Sequence, residues 1–149
     1  ERRPAAVWHD GERTALVDRE GRVLSYVAAS ALPAGLPHIA GPGAPVAASE
    51  LREALAGYPG VASRVRLARR VGDRRWDLEL TNGAHVKLAA GATAASLERL
   101  VHLEQETRWL DHAGQVVDLR VPKSIAVSTP VPAGVTPRTL ARGTPARPL

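Results

Sequence analysis

Trp76, Leu78 and Leu80 alternate with Asp77 and Glu79; the turn sequence Thr81-Asn82-Gly83-Ala84 follows, and Val86 and Leu88 then alternate back. A period of two places the apolar residues on one face of a strand, and Asn-Gly is a strong hairpin signal. Residues 75–88 therefore predict two antiparallel strands, and Val61 to Val71 just before them predicts a third in the same sheet. Near the amino end, Ala5–Asp10, Arg13–Asp18 and Arg22–Leu24 are separated by Asp-Gly-Glu and Arg-Glu-Gly turns and read as a meander of three short strands. Residues 28–45 hold Pro33, Pro37, Pro42 and Pro45 among Gly and Ala, which predicts a long loop with a short extended piece at His38–Ala40.

Two stretches change the period. Ala47, Leu51, Ala54 and Leu55 share one helical face, and Gly57 with Pro59 end that helix. Leu97, Leu100, Val101, Glu104 and Arg108 recur at helical spacing in a second helix that Gly114 closes. The last patterned piece is Val116–Val127, where Val117, Leu119 and Val121 fall on one side of an extended chain and Asp118 and Arg120 on the other. Pro122 and Lys123 interrupt this run before Ile125 and Val127 resume it. Proline removes a ladder donor, so the run reads as the edge of a sheet. The order of elements predicts an α+β fold, with a mostly antiparallel sheet and two main helices packed on one face. From Thr129 on, five prolines and two glycines with no periodicity predict a disordered C-terminal tail, leaving 1–128 as the folded domain.

Composition adjusts this picture in three places. The chain of 149 residues has no Phe and no Met, so its core must be aliphatic, with Trp8, Trp76 and Trp109 as the large pieces. The lack of Met implies a chain trimmed at its amino end; no stretch of about 18 apolar residues occurs within it, although a span or leader could precede it. The absence of Cys excludes disulfides and thiolate metal sites. The net charge is +5, but Arg138, Arg142 and Arg147 lie in the acid-free tail, so 1–129 carry 17 of the 20 basic groups against 15 acidic ones.

Little of this residue set is arranged for chemistry. His9, His38, His85, His102 and His112 are scattered, without a pair at i,i+4 on a helix, and no metal site is expected. No Ser stands in a Gly-x-Ser-x-Gly setting, no glycine-rich loop follows a strand in phosphate-binding order, and Asp77 with Glu79 reads as solvated strand surface. No catalytic residue and no cofactor is expected. The densest charge is in Arg64–Arg75, which holds six arginines and offers the alternative reading of a nucleic-acid or polyanion surface. Stacking aromatics are lacking there apart from Trp76, which is in phase with the core residues. The better account is an arginine-rich outer sheet face, partly paired with Asp73, Asp77 and Glu79.

The blocks Glu1–Leu24, Leu36–Ala44, Ala68–Leu88, the helix with Leu-Glu-Arg-Leu-Val-His-Leu-Glu-Gln-Glu, and Val116–Val127 occur in an order and spacing that resembles the periplasmic part of the bacterial division proteins FtsQ and DivIB. The resemblance runs from Glu1 to about Ser128. It implies a β-domain with a long curved sheet, entered through residues 1–8 from a preceding polypeptide-transport-associated (POTRA) domain. It further implies a non-enzymatic protein of the inner membrane, anchored by one helix ahead of this chain, with this part on the periplasmic side at the division septum. The implied partners are the division proteins FtsB and FtsL, with other components of the division machinery, and not nucleic acid. FtsB would add a strand to the last strand of the domain and set an acid against an arginine matching Arg120. The binding residues so implied are Arg120, Val121, Pro122, Lys123, Ser124, Ile125, Ala126 and Val127. Val121 departs from the pattern, because family members often carry an aromatic after that arginine.

Overall fold

The computed structural model describes residues 2–121 and 124–128; the predicted tail, Pro122 and Lys123 lie outside the described residues. Nine strands form one sheet: β1 (Ala6–Asp10), β2 (Arg13–Val17), β3 (Val23–Val27), β4 (His38–Ala40), β5 (Val65–Val71), β6 (Arg75–Leu80), β7 (His85–Lys87), β8 (Val116–Asp118) and β9 (Ala126–Ser128). Their order across the sheet is β3-β2-β1-β4-β5-β6-β7-β8-β9. Three helices accompany them, α1 (Ala44–Ala56), α2 (Pro59–Ala62) and α3 (Thr93–Thr107). The α+β class and the mostly antiparallel sheet are as the pattern predicts.

Strands joined by short turns pair antiparallel, as β1 with β2, β2 with β3, β5 with β6 and β6 with β7, and β8 and β9, separated by residues 119–125, also pair antiparallel. Parallel pairs arise where the chain crosses over: β4 to β5 through α1 and α2, and β7 to β8 through α3. Strand β4 also lies parallel to β1, with Trp8 opposite Ile39. Three residues of β4 thus join two antiparallel blocks into a continuous sheet.

The period-two stripe of β6 supplies the centre of the core: Trp76, Leu78 and Leu80 are at most 1 % exposed. Val86, Leu88, Val117 and Leu119 extend it along the sheet, and Leu51, Val61, Leu97 and Leu100 cover it from the helices. Helix α1 packs on α3 and on β1 and β4. On the opposite face, Arg66 and Arg69 both reach Glu79 and Arg75 reaches Asp77, as expected for an arginine-rich outer surface.

Three expectations need correction. The strand predicted from Val61 begins only at Val65, because Pro59 opens the short helix α2, in which the Val61 and Ala62 amides donate to the Tyr58 carbonyl. Helix α3 stops at Thr107, before Gly114: Arg108 adopts the left-handed region at φ 54°, and a 3₁₀ turn then seats Trp109 in the core. Lastly, Val116–Val127 is no single interrupted strand. The ladder to β7 ends with the Leu119 amide on the Lys87 carbonyl, the chain leaves the sheet, and β9 returns antiparallel beside β8. Val117 and Leu119 are fully buried while Val121 is 62 % exposed, so Val121 does not share their face.

The exit from β4 depends on Gly41. Its φ is +96°, and a Cβ there would stand 2.4 Å from the Arg70 carbonyl oxygen. Gly35 has a similar φ of +87° with nothing near its Cβ position. Gly35→Ala is expected to cost only the conformational strain, about 1–2 kcal/mol, whereas Gly41→Ala must also displace β5 and should cost distinctly more. Urea unfolding followed by far-UV circular dichroism checks both; equal costs would show that β4 and β5 are not held at this separation.

Candidate partner-binding edge

The site is built outward from the core. Val117 and Leu119 anchor β8, and the residues between and beyond them face away. Asp118 lies on the outer face, opposite Lys87 in the parallel register of β7 and β8. Its Oδ1 accepts the Arg120 backbone N–H at 3.0 Å and Nε–H at 2.9 Å, and its Oδ2 accepts from Nη2 at 2.6 Å. This local fork orients an exposed guanidinium beside the end of the sheet. The side-chain hydrogen bonds from Arg120 are the main reason that the Asp118 carboxyl is lowered from 3.8 to about 2.

Strand β9 forms the sheet's last position, and its three residues are all exposed. Its register sets Val127 opposite Val117 and Ala126 opposite Asp118. Val121, Ile125 and Val127 are 62, 42 and 44 % exposed, and they cluster in sequence at this one edge. A strand edge offers unpaired backbone donors and acceptors, and exposed aliphatic side chains beside it offer apolar area to an added strand. Of the expected binding residues, Arg120, Val121, Ser124, Ile125, Ala126 and Val127 are therefore brought together at or next to the edge. Pro122 and Lys123 lie outside the described residues.

One residue of this region escaped the sequence reading. Arg99 of α3 donates from Nη1 to the Leu119 carbonyl at 3.3 Å and from Nη2 to the Ser124 carbonyl. The available signal was an arginine set between Leu97 and Leu100 of the apolar stripe, at the margin of the buried face.

A second juxtaposition was also invisible in the sequence. The parallel pairing of β1 and β4 brings His9 Nε2 to 2.8 Å from His38 Nδ1, with the rings stacked at 5.1 Å. Burial lowers the His9 pKa, and His38, Arg69 and Arg66 lower it further. Among the described residues, no group of three or more His, Cys, Asp or Glu is placed to hold a metal ion. The arginines of Arg64–Arg75 do not share a face. Arg66 and Arg69 lie outward with Glu79, while Arg70 turns in over the Trp76 ring at 5.3 Å.

The domain is α+β, with β9 as the outermost described strand at one end of its large sheet. The family model described as cell division protein FtsQ/DivIB, C-terminal, matches residues 6–120. The chain belongs to the FtsQ/DivIB family. It is 38 % identical over 128 residues to cell division protein FtsQ of Caulobacter vibrioides, covering 85 % of this chain and 42 % of that protein. The FtsQ of Zymomonas mobilis is 34 % identical over 145 residues, covering 97 % of this chain and 44 % of the relative. The chain thus spans about two fifths of the length of these curated relatives. Among solved structures, the major extracytoplasmic domain of the trans isomer of the division protein DivIB from Geobacillus stearothermophilus aligns with a TM-score of 0.46 at 18 % identity, covering 72 % of this chain and 95 % of that one. Among the described residues, no helix is long and apolar enough to cross a membrane.

The ion pair at the edge has a readable titration. Because the Asp118 carboxyl is depressed in the folded state, its contribution to stability is complete above pH 3.8 and is lost as pH falls toward 2. Arg120→Ala should raise the Asp118 pKa toward its ordinary value, as measured by carboxyl-carbon NMR. A pKa that stays near 2 in the variant would assign the depression to Lys87 and the backbone instead.

Proposed function

We propose that this domain is a non-catalytic assembly module of the bacterial division machinery. It takes a strand from FtsB at the free edge of β9, within an FtsB–FtsL complex, and so links early and late division proteins to septal wall synthesis. Arg120 meets an acid of the partner, and residues 121–127 supply the backbone ladder and the side-chain contacts. The protein is held in the inner membrane by a helix ahead of this chain, and the domain works on the periplasmic side at the septum. Its sheet is taken to follow the long curved form of the family's β-domain.

The observation that carries this reading is the open strand β9, with Ile125 and Val127 exposed beside it and Arg120 oriented next to it. Membership of a family whose relatives are named cell division protein FtsQ supports the division role. An exposed edge with apolar residues is a liability in a free protein, and coverage by a partner strand removes it. The polyanion alternative finds less support, since the arginines of Arg64–Arg75 divide between two faces and four of them contact carboxylates.

The test is a calorimetric titration with the soluble periplasmic segment of FtsB from the same organism. Ile125→Glu should weaken binding at least tenfold, about 1.4 kcal/mol, by placing a charge in the added ladder's apolar contact. Arg69→Gln should leave binding within about twofold, and raising salt should weaken it far less than the steep loss that a polyanion site shows. Binding that survives Ile125→Glu would place the docking surface elsewhere on the domain.

A further inference from the structure

We infer that Arg99 is the positioning residue of the docking strand: its guanidinium straps both ends of the β8–β9 connection to helix α3 and so holds β9 where a partner strand can pair. The inference rests on the reading of β9 as the docking edge.

Strand β9 cannot hold itself in place by burial. Its three residues are all exposed, and it pairs with only three residues of β8. A few backbone hydrogen bonds exchanged with water contribute little each, so such a strand on its own would fray. Among its described residues the connection adds one local backbone bond, the Ser124 amide on the Val121 carbonyl at 3.2 Å. What ties this region to the rigid body is Arg99. Nη1 donates to the carbonyl of Leu119, the last buried residue of the β8 side, and Nη2 donates to the carbonyl of Ser124, two residues before β9 begins. One planar fork therefore fixes where the chain leaves the sheet and where it returns.

Arg99 is itself well anchored. Leu97 and Leu100 on either side of it are fully buried, so the position of its Cα is set by the packing of α3 on the sheet. The two acceptors are backbone carbonyls, so the strap does not depend on the identity of the residues at 119 and 124. Lysine carries the same charge, but its three donors sit on one nitrogen and do not span two separated carbonyls as the planar guanidinium fork does.

The experiment compares the full chain with Arg99→Lys and Arg99→Ala, with two readouts. Amide hydrogen exchange in the free protein should become at least tenfold faster at Ala126–Ser128 in both variants, while amides of β6 and β7 keep their protection. Titration with the soluble periplasmic segment of FtsB should then show a slower association or a weaker Kd by a similar factor. Unchanged exchange at Ala126–Ser128 overturns the strap, whatever the titration gives. Faster exchange with unchanged binding overturns Arg99 as a positioning residue; if Ile125→Glu also leaves binding intact, it is the reading of β9 as the docking edge that fails. General loss of protection in β6 and β7 would make Arg99 a residue of overall stability and would overturn the proposal too.

Discussion

Three residues, His38, Ile39 and Ala40, hold this sheet together. Strand β4 is too short to contribute much by itself, yet it pairs parallel to β1 on one side and to β5 on the other. Without it the protein would be a three-stranded meander beside a five-stranded block, each with a raw edge. Ile39 is 3 % exposed and bridges the cores of the two blocks. The close approach is completed by Gly41, whose carbonyl accepts the Trp8 indole N–H at 3.1 Å. Both properties of Gly41, its positive φ and its missing Cβ, are needed at one point.

From that junction the sheet runs in one direction to β3 and in the other to β9. Strand β3 is the outer strand at the first end, five residues long, with Val23 and Tyr26 exposed. At the second end, each strand depends on the one before it for its burial: β6 carries the core stripe, β7 and β8 shorten to three residues each, and β9 has no buried side chain. The gradient of burial is also a gradient of local stability. Polar ties, not core packing, position this end of the sheet. Asp118 orients Arg120, and Arg99 holds the connection.

The arginines show how the same side chain serves different ends according to which face it meets. Arg66 and Arg69 share Glu79 on the outer face, an exposed arrangement of small energetic weight. Arg70, one residue along β5, lies over Trp76, with its side chain only 11 % exposed. The pairing register decides this: Arg69 stands opposite Asp77 and Arg70 opposite Trp76. A run that reads as one basic cluster along the chain becomes two half-neutralised surfaces in space.

Much was legible from local pattern alone. The alternation at Trp76, Leu78 and Leu80 and the Asn-Gly turn determined β6, β7 and their shared face, because strand period and turn geometry are properties of neighbouring residues. The helical stripe through Leu97 and Leu100 determined α3 for the same reason. The location of the candidate edge was legible through the resemblance and through Pro122, but its form was not. That the chain turns back after Leu119 follows from the end of the pairing with β7, a contact between residues 31 apart in sequence. Likewise, the meeting of His9 with His38 and the reach of Arg99 to Leu119 and Ser124 depend on which strands are neighbours and on how α3 lies on them. Side-chain period is written residue by residue, so sequence determined the elements and their buried faces. Parallel pairing and polar ties across elements join distant segments, and only the tertiary structure decided those.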